Sequence, residues 1–308
     1  MTLINNIIAG NTSTDAGTVN GGGISMVSSL PINLINNTIV DNRSNNASGL
    51  GGGLWIGMQS PAAVTNIYNN IFFGNSVLTS GNGQDLFIDN SSAGNAAINF
   101  FNNDFNEACF DNSGAPTCDP AAIASLSQGG NITAPGLDPL FIDAAAGNFQ
   151  LGLGSPAIDA GTSSAPNLPA TDHDGNPRVV GGEVDMGALE AQPDIDVDPI
   201  EFSYGDVGVG EEAAQILTIS NVGSVPINVT DLALSDETNY SLDPAAGANP
   251  CGSLNFTLDG GESCTIGVVF NPSDDGLLDA TLTISSDDPD EPEIVVSLTG
   301  VGQSANLS

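Results

Sequence analysis

Leu34-Ile35-Asn36-Asn37-Thr38-Ile39-Val40-Asp41-Asn42 is the stretch that decides the fold: an apolar pair, two adjacent Asn, a short β-branched run, and a closing Asn. It is too short for a helix and has no 3.6-residue period. The pattern recurs as Leu3-Ile-Asn5-Asn6-Ile-Ile-Ala-Gly-Asn11, Ile67-Tyr-Asn69-Asn70-Ile-Phe-Phe-Gly-Asn75 and Phe100-Phe-Asn102-Asn103-Asp-Phe105, with the Asn pairs 31, 33 and 33 residues apart. A second register agrees. Gly21-Gly22-Gly23-Ile24 returns 30 residues later as Gly51-Gly52-Gly53-Leu54, and more loosely as Gly81-Asn-Gly83-Gln-Asp-Leu86. Strand-only units at such a period predict a solenoid whose coils pair at the ~4.8 Å strand spacing.

The Asn pair has a physical role in that geometry. Asn tolerates the left-handed backbone of a tight corner, and stacked amides can bond the coils above and below. Eight such Asn also raise the possibility of sugar recognition, but ladder stacking explains them with no ligand. The Gly triplets permit sharp turns where a Cβ would clash.

After Pro193 the pattern changes. Segments 195–202, 215–221, 227–234, 264–270, 280–285 and 294–298 alternate polar and apolar residues with turn signals between them. Six to eight short strands in this length predict a β-sandwich. The division expected is a solenoid with a C-terminal cap region over 1–192 and a sandwich over 193–308.

Charge removes several function classes. The chain has 37 acidic residues, two basic ones (Arg43 and Arg178) and no Lys; the net charge is −14 up to Gln192 and −21 beyond it. Nucleic acid is excluded as a partner, because phosphate neutralisation needs clustered Lys and Arg. An anionic membrane surface is disfavoured for the same reason, and no segment is apolar enough to span a bilayer. The four cysteines form two local pairs, Cys109/Cys118 and Cys251/Cys264, without zinc-type spacing and with a single His, His173, in the chain. Two disulfides and an oxidising, extracellular or cell-surface location follow.

The coils resemble right-handed parallel β-helices of the pectate-lyase-like superfamily. The segments Leu137-Asp-Pro-Leu-Phe-Ile142, Phe149-Gln-Leu151, Gly154-Ser-Pro-Ala-Ile-Asp-Ala-Gly161, Asp172-His-Asp-Gly-Asn-Pro-Arg178 and Val184-Asp-Met-Gly-Ala-Leu-Glu190 resemble the end of "choice-of-anchor Q" bacterial surface proteins. In the second part, Phe202-Ser-Tyr-Gly-Asp-Val207, Leu217-Thr-Ile-Ser-Asn-Val-Gly223, Gly261-Glu-Ser-Cys264, Val269-Phe-Asn-Pro272 and Val296-Ser-Leu-Thr-Gly-Val-Gly302 resemble the "choice-of-anchor D" or ASPM-SPD-2-Hydin-type immunoglobulin-like module. The resemblance implies an all-β protein, a right-handed parallel β-helix followed by an immunoglobulin-like β-sandwich. It implies a surface role and no defined reaction.

Candidate sites are few. A uronate lyase needs a base and groups that neutralise a carboxylate, and the coils offer only Arg43. An inverting hydrolase needs acids facing one groove on adjacent coils, whereas Asp41, Asp85, Asp89 and Asp104 look scattered along the sequence. His173 lies between two Asp with no nucleophile motif nearby. Asp172, Asp174, Asn176 and Glu183 are spaced like calcium ligands, with Glu183 at position twelve; Pro177 at position six and the absence of flanking helices break the EF-hand pattern. The alternative is that Asp172 and Asp174 make Asx-type turns while Arg178 pairs with Asp185 or Glu190 as an end-cap clasp. The acidic turn Asp287-Asp-Pro-Asp-Glu291 is a solvated edge first and an ion site second.

The expectation is a non-catalytic secreted or surface protein with an adhesion, display or spacer role. It would be a monomeric module whose partners are surface glycans or proteins and whose only cofactor candidate is calcium. A carbohydrate-active β-helix with active coils elsewhere is the alternative. Secreted character, no export signal at Met1 and a first coil that starts partway through its circuit lead to the further expectation of a piece of a longer protein.

Overall fold

A computed structural model describes residues 1–14, 20–79, 82–94, 96–112, 114–119, 121, 123, 125–133 and 138–304; Gly81, Leu137 and 305–308, used in the sequence reading, lie outside them. The chain forms two compact units, Met1–Ala191 and Gln192–Ser308.

The first unit is a parallel β-solenoid. Its first coil runs through β1 (Thr2–Ile4), β2 (Ile7–Ala9), β3 (Thr12–Ser13) and β4 (Ile24–Ser28), and the second through β5 (Ile32–Ile35), β6 (Thr38–Val40), β7 (Arg43–Ser44) and β8 (Leu54–Met58). The third coil contains β9 (Thr65–Tyr68), β10 (Ile71–Phe73), β11 (Ser76–Val77) and β12 (Leu86–Asp89). The fourth keeps β13 (Ile98–Phe101) and β14 (Ala108–Asp111), and β15 (Leu126–Gly129) begins a fifth. Equivalent strands pair in parallel in the sheets β1-β5-β9-β13-β15, β2-β6-β10, β3-β7-β11 and β4-β8-β12-β14. The sequence period is therefore the strand register: Leu3 pairs with Leu34, Leu34 with Ile67, and Ile67 with Phe100.

Like residues stack along the interior: Leu34, Ile67 and Phe100 in one column, Ile56, Ile88 and Phe110 in another, all at most 0% exposed. The fourth coil is shorter. Leu86 pairs with Ala108, 22 positions on, so the strand equivalent to β11 is missing. Phe100, Phe105 and Phe110 fill the narrower ring, with Phe100 centroids 5.0 and 6.1 Å from the other two.

The two Asn of each pair do different work. The first takes the left-handed corner, with φ of 55° at Asn5, 51° at Asn36, 58° at Asn69 and 52° at Asn102, and Gly130 takes the same place at 66°. The second points inward and builds a ladder. Asn37 Oδ1 accepts from the backbone N and Nδ2 of Asn6 (both 3.0 Å), Asn70 from Asn37 (both 2.9 Å), Asn103 from Asn70 (3.0 and 2.9 Å), and Asn131 from Asn103 (2.9 and 3.2 Å). The closing Asn of each motif forms a second ladder, Asn11 to Asn42 to Asn75, which ends on Asp85. Asp85 stands in for the Asn that the shortened fourth coil lacks. Glycine is required beside this ladder: a Cβ on Gly22 would sit 2.2 Å from the Gly52 carbonyl oxygen.

After the fifth coil's strand comes a hairpin of β16 (Phe141–Asp143) and β17 (Asn148–Leu151). The region expected to cap the end of the solenoid lies along its side instead. The outward Asn of each pair holds it: Asn102 Nδ2 donates to Ala160 O (3.0 Å), Asn69 to Thr162 O (3.1 Å), Asn36 to Asp185 O (2.9 Å) and Asn5 to Thr171 O (2.7 Å). The segment thus runs back as a strap from the fourth coil to the first. Its apolar residues Leu151, Ala157 and Met186 pack on Ile71.

The second unit is an immunoglobulin-like sandwich. Its strands are β18 (Ile195–Asp198), β19 (Glu201–Gly208), β20 (Ala213–Asn221), β21 (Ile227–Leu234), β22 (Tyr240–Asp243), β23 (Phe256–Leu258), β24 (Ser263–Phe270), β25 (Gly276–Ser286) and β26 (Glu293–Gln303). One sheet is β18-β20-β24-β22 and the other β19-β26-β25-β21-β23. The run 195–202 predicted as one strand is two. Pro199 cannot donate to a ladder, and the chain changes sheets there. The edge strands β22 and β23 were missed because each has only three or four residues. Tyr204, Tyr240 and Phe270 cluster in the core, and the two hydroxyls donate to Val268 O (2.8 Å) and Leu278 O (2.7 Å). Both expected disulfides, Cys109–Cys118 and Cys251–Cys264, are present. They fit an extracellular location.

The ladder predicts a contrast between two asparagines. Asn70→Ala would strand the buried N–H of Asn37 and remove the side-chain donor to the Leu34 carbonyl, while Tyr68 O keeps its bond from Asn36 N, and is expected to cost about 2–3 kcal/mol. Asn66→Ala, on the outward column Asn33–Asn66–Asn99, is expected to stay within about 0.5 kcal/mol. Urea unfolding of both variants measures the difference.

Candidate functional site

The strap brings the sequence-predicted residues together around Arg178, which is 1% exposed. Its Nη1 donates to Ala188 O (2.9 Å) and Asn5 Oδ1 (3.3 Å), and its Nη2 to Gly187 O (2.9 Å) and Leu189 O (3.4 Å). The loop it grips is fastened to the second coil: Ala188 N donates to Thr38 Oγ1 (2.9 Å) and Gly187 N to Asn69 O on the third coil (2.8 Å). Glu190 Oε2 lies 3.4 Å from Nη2, an ion pair with both side chains 1% exposed. Of the two acids considered as partner for Arg178, Glu190 makes the bridge.

Each carboxylate in this clasp is held by backbone donors. Glu190 accepts from the Val180 and Asp185 N–H groups (3.1 and 3.0 Å) and Asp185 from those of Asp159 and Ala191 (both 2.7 Å). Asp172 Oδ1 accepts from the N–H groups of Asp174, Gly175 and Asn176 (each 2.9 Å), and its Oδ2 from that of Glu190 (3.0 Å). One guanidinium faces three buried acids. Burial pushes the carboxyls of Glu190 and Asp185 up, and the negative neighbour adds to the rise at Glu190.

The four calcium candidates are spent differently. Asp172 organises the turn, as in the Asx-turn alternative. Asp174 is exposed and Asn176 half-buried, both on that turn. Glu183 sits at the surface, where Ser163 Oγ (2.8 Å) and N (3.2 Å) donate to it and hold its carboxyl below the usual range. Among the described residues, the only three ligand-type acid, His or Cys side chains gathered within 4.8 Å are Glu107, Cys109 and Cys118. His173 Nδ1 lies 2.9 Å from Asn5 O, at the end of the strap.

The coil acids divide into two sets. Asp85 and Asp104 are buried, at 1% and 3% exposure. Burial raises Asp85 to about 6 against the pull of the Asn75, Glu107 and Asn106 donors. Burial and then the charges of Asp85 and Asp138 raise Asp104 to about 7. Asp104 Oδ2 has no hydrogen-bond partner. Asp89 is not isolated, contrary to the sequence reading: it pairs in register with Asp111 on the next coil and with Gly57 on the one before. The Trp55 ring lies over Gly57, where a Cβ would be 2.5 Å from Cη2. Asp89 Oδ1 accepts from Ser91 N and Oγ (3.0 and 2.6 Å). Arg43 is exposed on β7 and Asp41 is an exposed corner residue with φ of 52°. The Asp89–Asp111 pairing escaped the sequence because the 22-residue register shift differs from the repeat period.

The geometry defines the class: an all-β protein with a β-solenoid of about four turns and an immunoglobulin-like sandwich. The family profile described as Cep192 domain 4 matches residues 192–303. No curated protein matches the chain. Among solved structures, the ASH / PapD-like domain of human CEP192 is similar at 14% identity, covering 41% of this chain and 97% of that one, with a TM-score of 0.29. A Porphyromonas gingivalis W83 protein of unknown function is similar at 13% identity, over 46% of this chain and 52% of that one, TM-score 0.29. The secreted serine protease VesC of Vibrio cholerae is similar at 20% identity over 32% and 21%, TM-score 0.25.

Two predictions follow from the buried charges. Arg178→Met leaves the clasp acids without their cation and is expected to destabilise the solenoid by about 3–5 kcal/mol, against about 0.5 kcal/mol or less for the exposed Arg43→Ala; chemical denaturation separates them. Because Asp85 and Asp104 titrate higher in the fold than the ~3.9 of an unfolded Asp, the folded state binds more protons between pH 7 and 4. Stability therefore rises as pH falls through that window. Thermal melts should show it, and Asp104→Asn should raise the melting temperature at pH 8 and flatten the slope.

Proposed function

We propose that this chain is a non-catalytic portion of a secreted or cell-surface protein, serving an adhesion, display or spacer role. One observation carries the reading: the polar residues repeated in the coils are consumed within the chain. The inward Asn bond one another, and the outward Asn are occupied by the strap. What repeats is scaffolding. The quoted motifs support a pectate-lyase-like β-helix ending in a choice-of-anchor Q-type segment, followed by a choice-of-anchor D or ASPM-SPD-2-Hydin-type module. The partners in this reading are surface glycans or proteins.

A second reading has its own observation. Asp89 and Asp111 in register on adjacent coils, with Trp55 over the neighbouring Gly57, are elements of a carbohydrate-active face. Incubation with polygalacturonate, alginate and neutral glycans separates the two. The first reading expects no unsaturated products and no new reducing ends. Turnover lost in Asp89→Asn or Asp111→Asn would establish the second. Mass mapping of unreduced peptides is expected to recover Cys109–Cys118 and Cys251–Cys264; free thiols at all four positions would remove the secretion argument.

A further inference from the structure

We propose that Glu107, Cys109 and Cys118 form a divalent-metal site of the zinc class, which the Cys109–Cys118 disulfide closes and its reduction opens. The ligand atoms of the three residues already lie within 4.8 Å of one another. Tetrahedral zinc with bonds of about 2.3 Å to sulfur and about 2.1 Å to oxygen holds its donors roughly 3.5–3.8 Å apart. Small side-chain movements suffice once the sulfurs are no longer bonded.

The backbone keeps the three ligands together without the disulfide. Glu107 immediately precedes β14 and Cys109 is its second residue, two positions on, so extended backbone sends their side chains the same way. Cys118 is delivered by an antiparallel bridge in which Phe110 and Thr117 exchange both backbone hydrogen bonds, each 2.8 Å. Glu107 Oε2 accepts from Gln84 N (2.8 Å), which fixes the carboxylate and leaves the other oxygen for a ligand. Glu107, Cys118 and Asp119 line one cleft of about 560 Å³, an entry path with a candidate fourth donor.

Electrostatics favour a cation here. Asp85 Oδ2 accepts from the Glu107 N–H (3.1 Å), which sets a second carboxylate beside the ligand set. Two thiolates with one carboxylate select zinc over calcium or magnesium, which prefer all-oxygen sites. The Cys251–Cys264 pair has no acid or His gathered with it among the described residues and serves as an internal control.

The redox step balances. One dithiol reductant supplies two electrons and two protons to the Cys109–Cys118 bond and is itself left as a disulfide; metal binding then releases both thiol protons to solvent. In an oxidising medium the site is shut. The metal-bound form belongs to the chain before oxidation, or to a reducing environment.

Cobalt(II) is the probe. The full chain, reduced with a phosphine and desalted without oxygen, is titrated while the sulfur-to-cobalt charge-transfer band is followed. Expected are one cobalt per chain, displacement by zinc, loss of the band in Cys118→Ser, and its retention in Cys251→Ser. Glu107→Gln should weaken binding at least about tenfold, and the oxidised chain should show no band. Circular dichroism on each variant checks folding. The absence of a sulfur–cobalt band in the folded, reduced wild-type chain would overturn the proposal, as would a Glu107→Gln variant with unchanged affinity or a band that vanishes in Cys251→Ser but survives in Cys118→Ser.

Discussion

The Nδ2 group of Asn37 donates to Ile35 O in its own coil, to Leu3 O in the coil before, and to Asn70 Oδ1 in the coil after. One buried amide thus ties three levels of the solenoid, and it does so where no water can replace it. Leaving such a group unpaired in the interior costs far more than its bond gains in solvent, so each rung requires the next. The constraint propagates. It fixes which residues can stand at the corner, because the residue before each ladder Asn must adopt positive φ. It also fixes the register of every strand that leads into the corner.

The same corner supplies the surface for the strap. When the second Asn turns inward, the first turns outward, and its amide is free to bond whatever lies alongside. In this chain that is the 157–191 segment, which meets Asn102, then Asn69, then Asn5, and returns to Asn36. The strap is locked by Arg178, whose Nη groups bind mainly carbonyl oxygens, while its buried Nε–H has no hydrogen-bond partner. Its counter-ions are themselves held by backbone N–H groups. The result is a cation and three carboxylates that can stay buried in a protein with 37 acidic residues.

Where the repeat breaks, chemistry collects. The short fourth coil removes a strand, an Asn rung and the glycine register together. Asp85 fills the rung; Asp104 stands level with Ile71 of β10 and Ile132, and its Oδ2 has no hydrogen-bond partner. The loop after β14 folds back through the Phe110–Thr117 bridge and brings Cys118 to Cys109 beside Glu107. The cluster of acids and sulfur is thus a consequence of ending a regular stack.

The sequence by itself determined the solenoid, the sandwich, the corner role of Asn and the two cysteine pairs. Each of these is written in spacing, and spacing along a chain equals geometry when every coil repeats the last. The tertiary structure alone decided what depends on a changed register or on a segment returning from far away. The 22-residue step between Leu86 and Ala108 put Asp89 level with Asp111, although the 33-residue period hides that pairing. The strap's path along the side was invisible, because its partners are the carbonyls of residues 160–187, and a carbonyl carries no mark in the sequence. Asp172, Asp174, Asn176 and Glu183 carried a ligand-like spacing, but the backbone N–H groups of Asp174 and Asn176 bond the Asp172 carboxylate and Ser163 bonds that of Glu183. Spacing places oxygen atoms along the chain; only the folded backbone decides which donors reach them first.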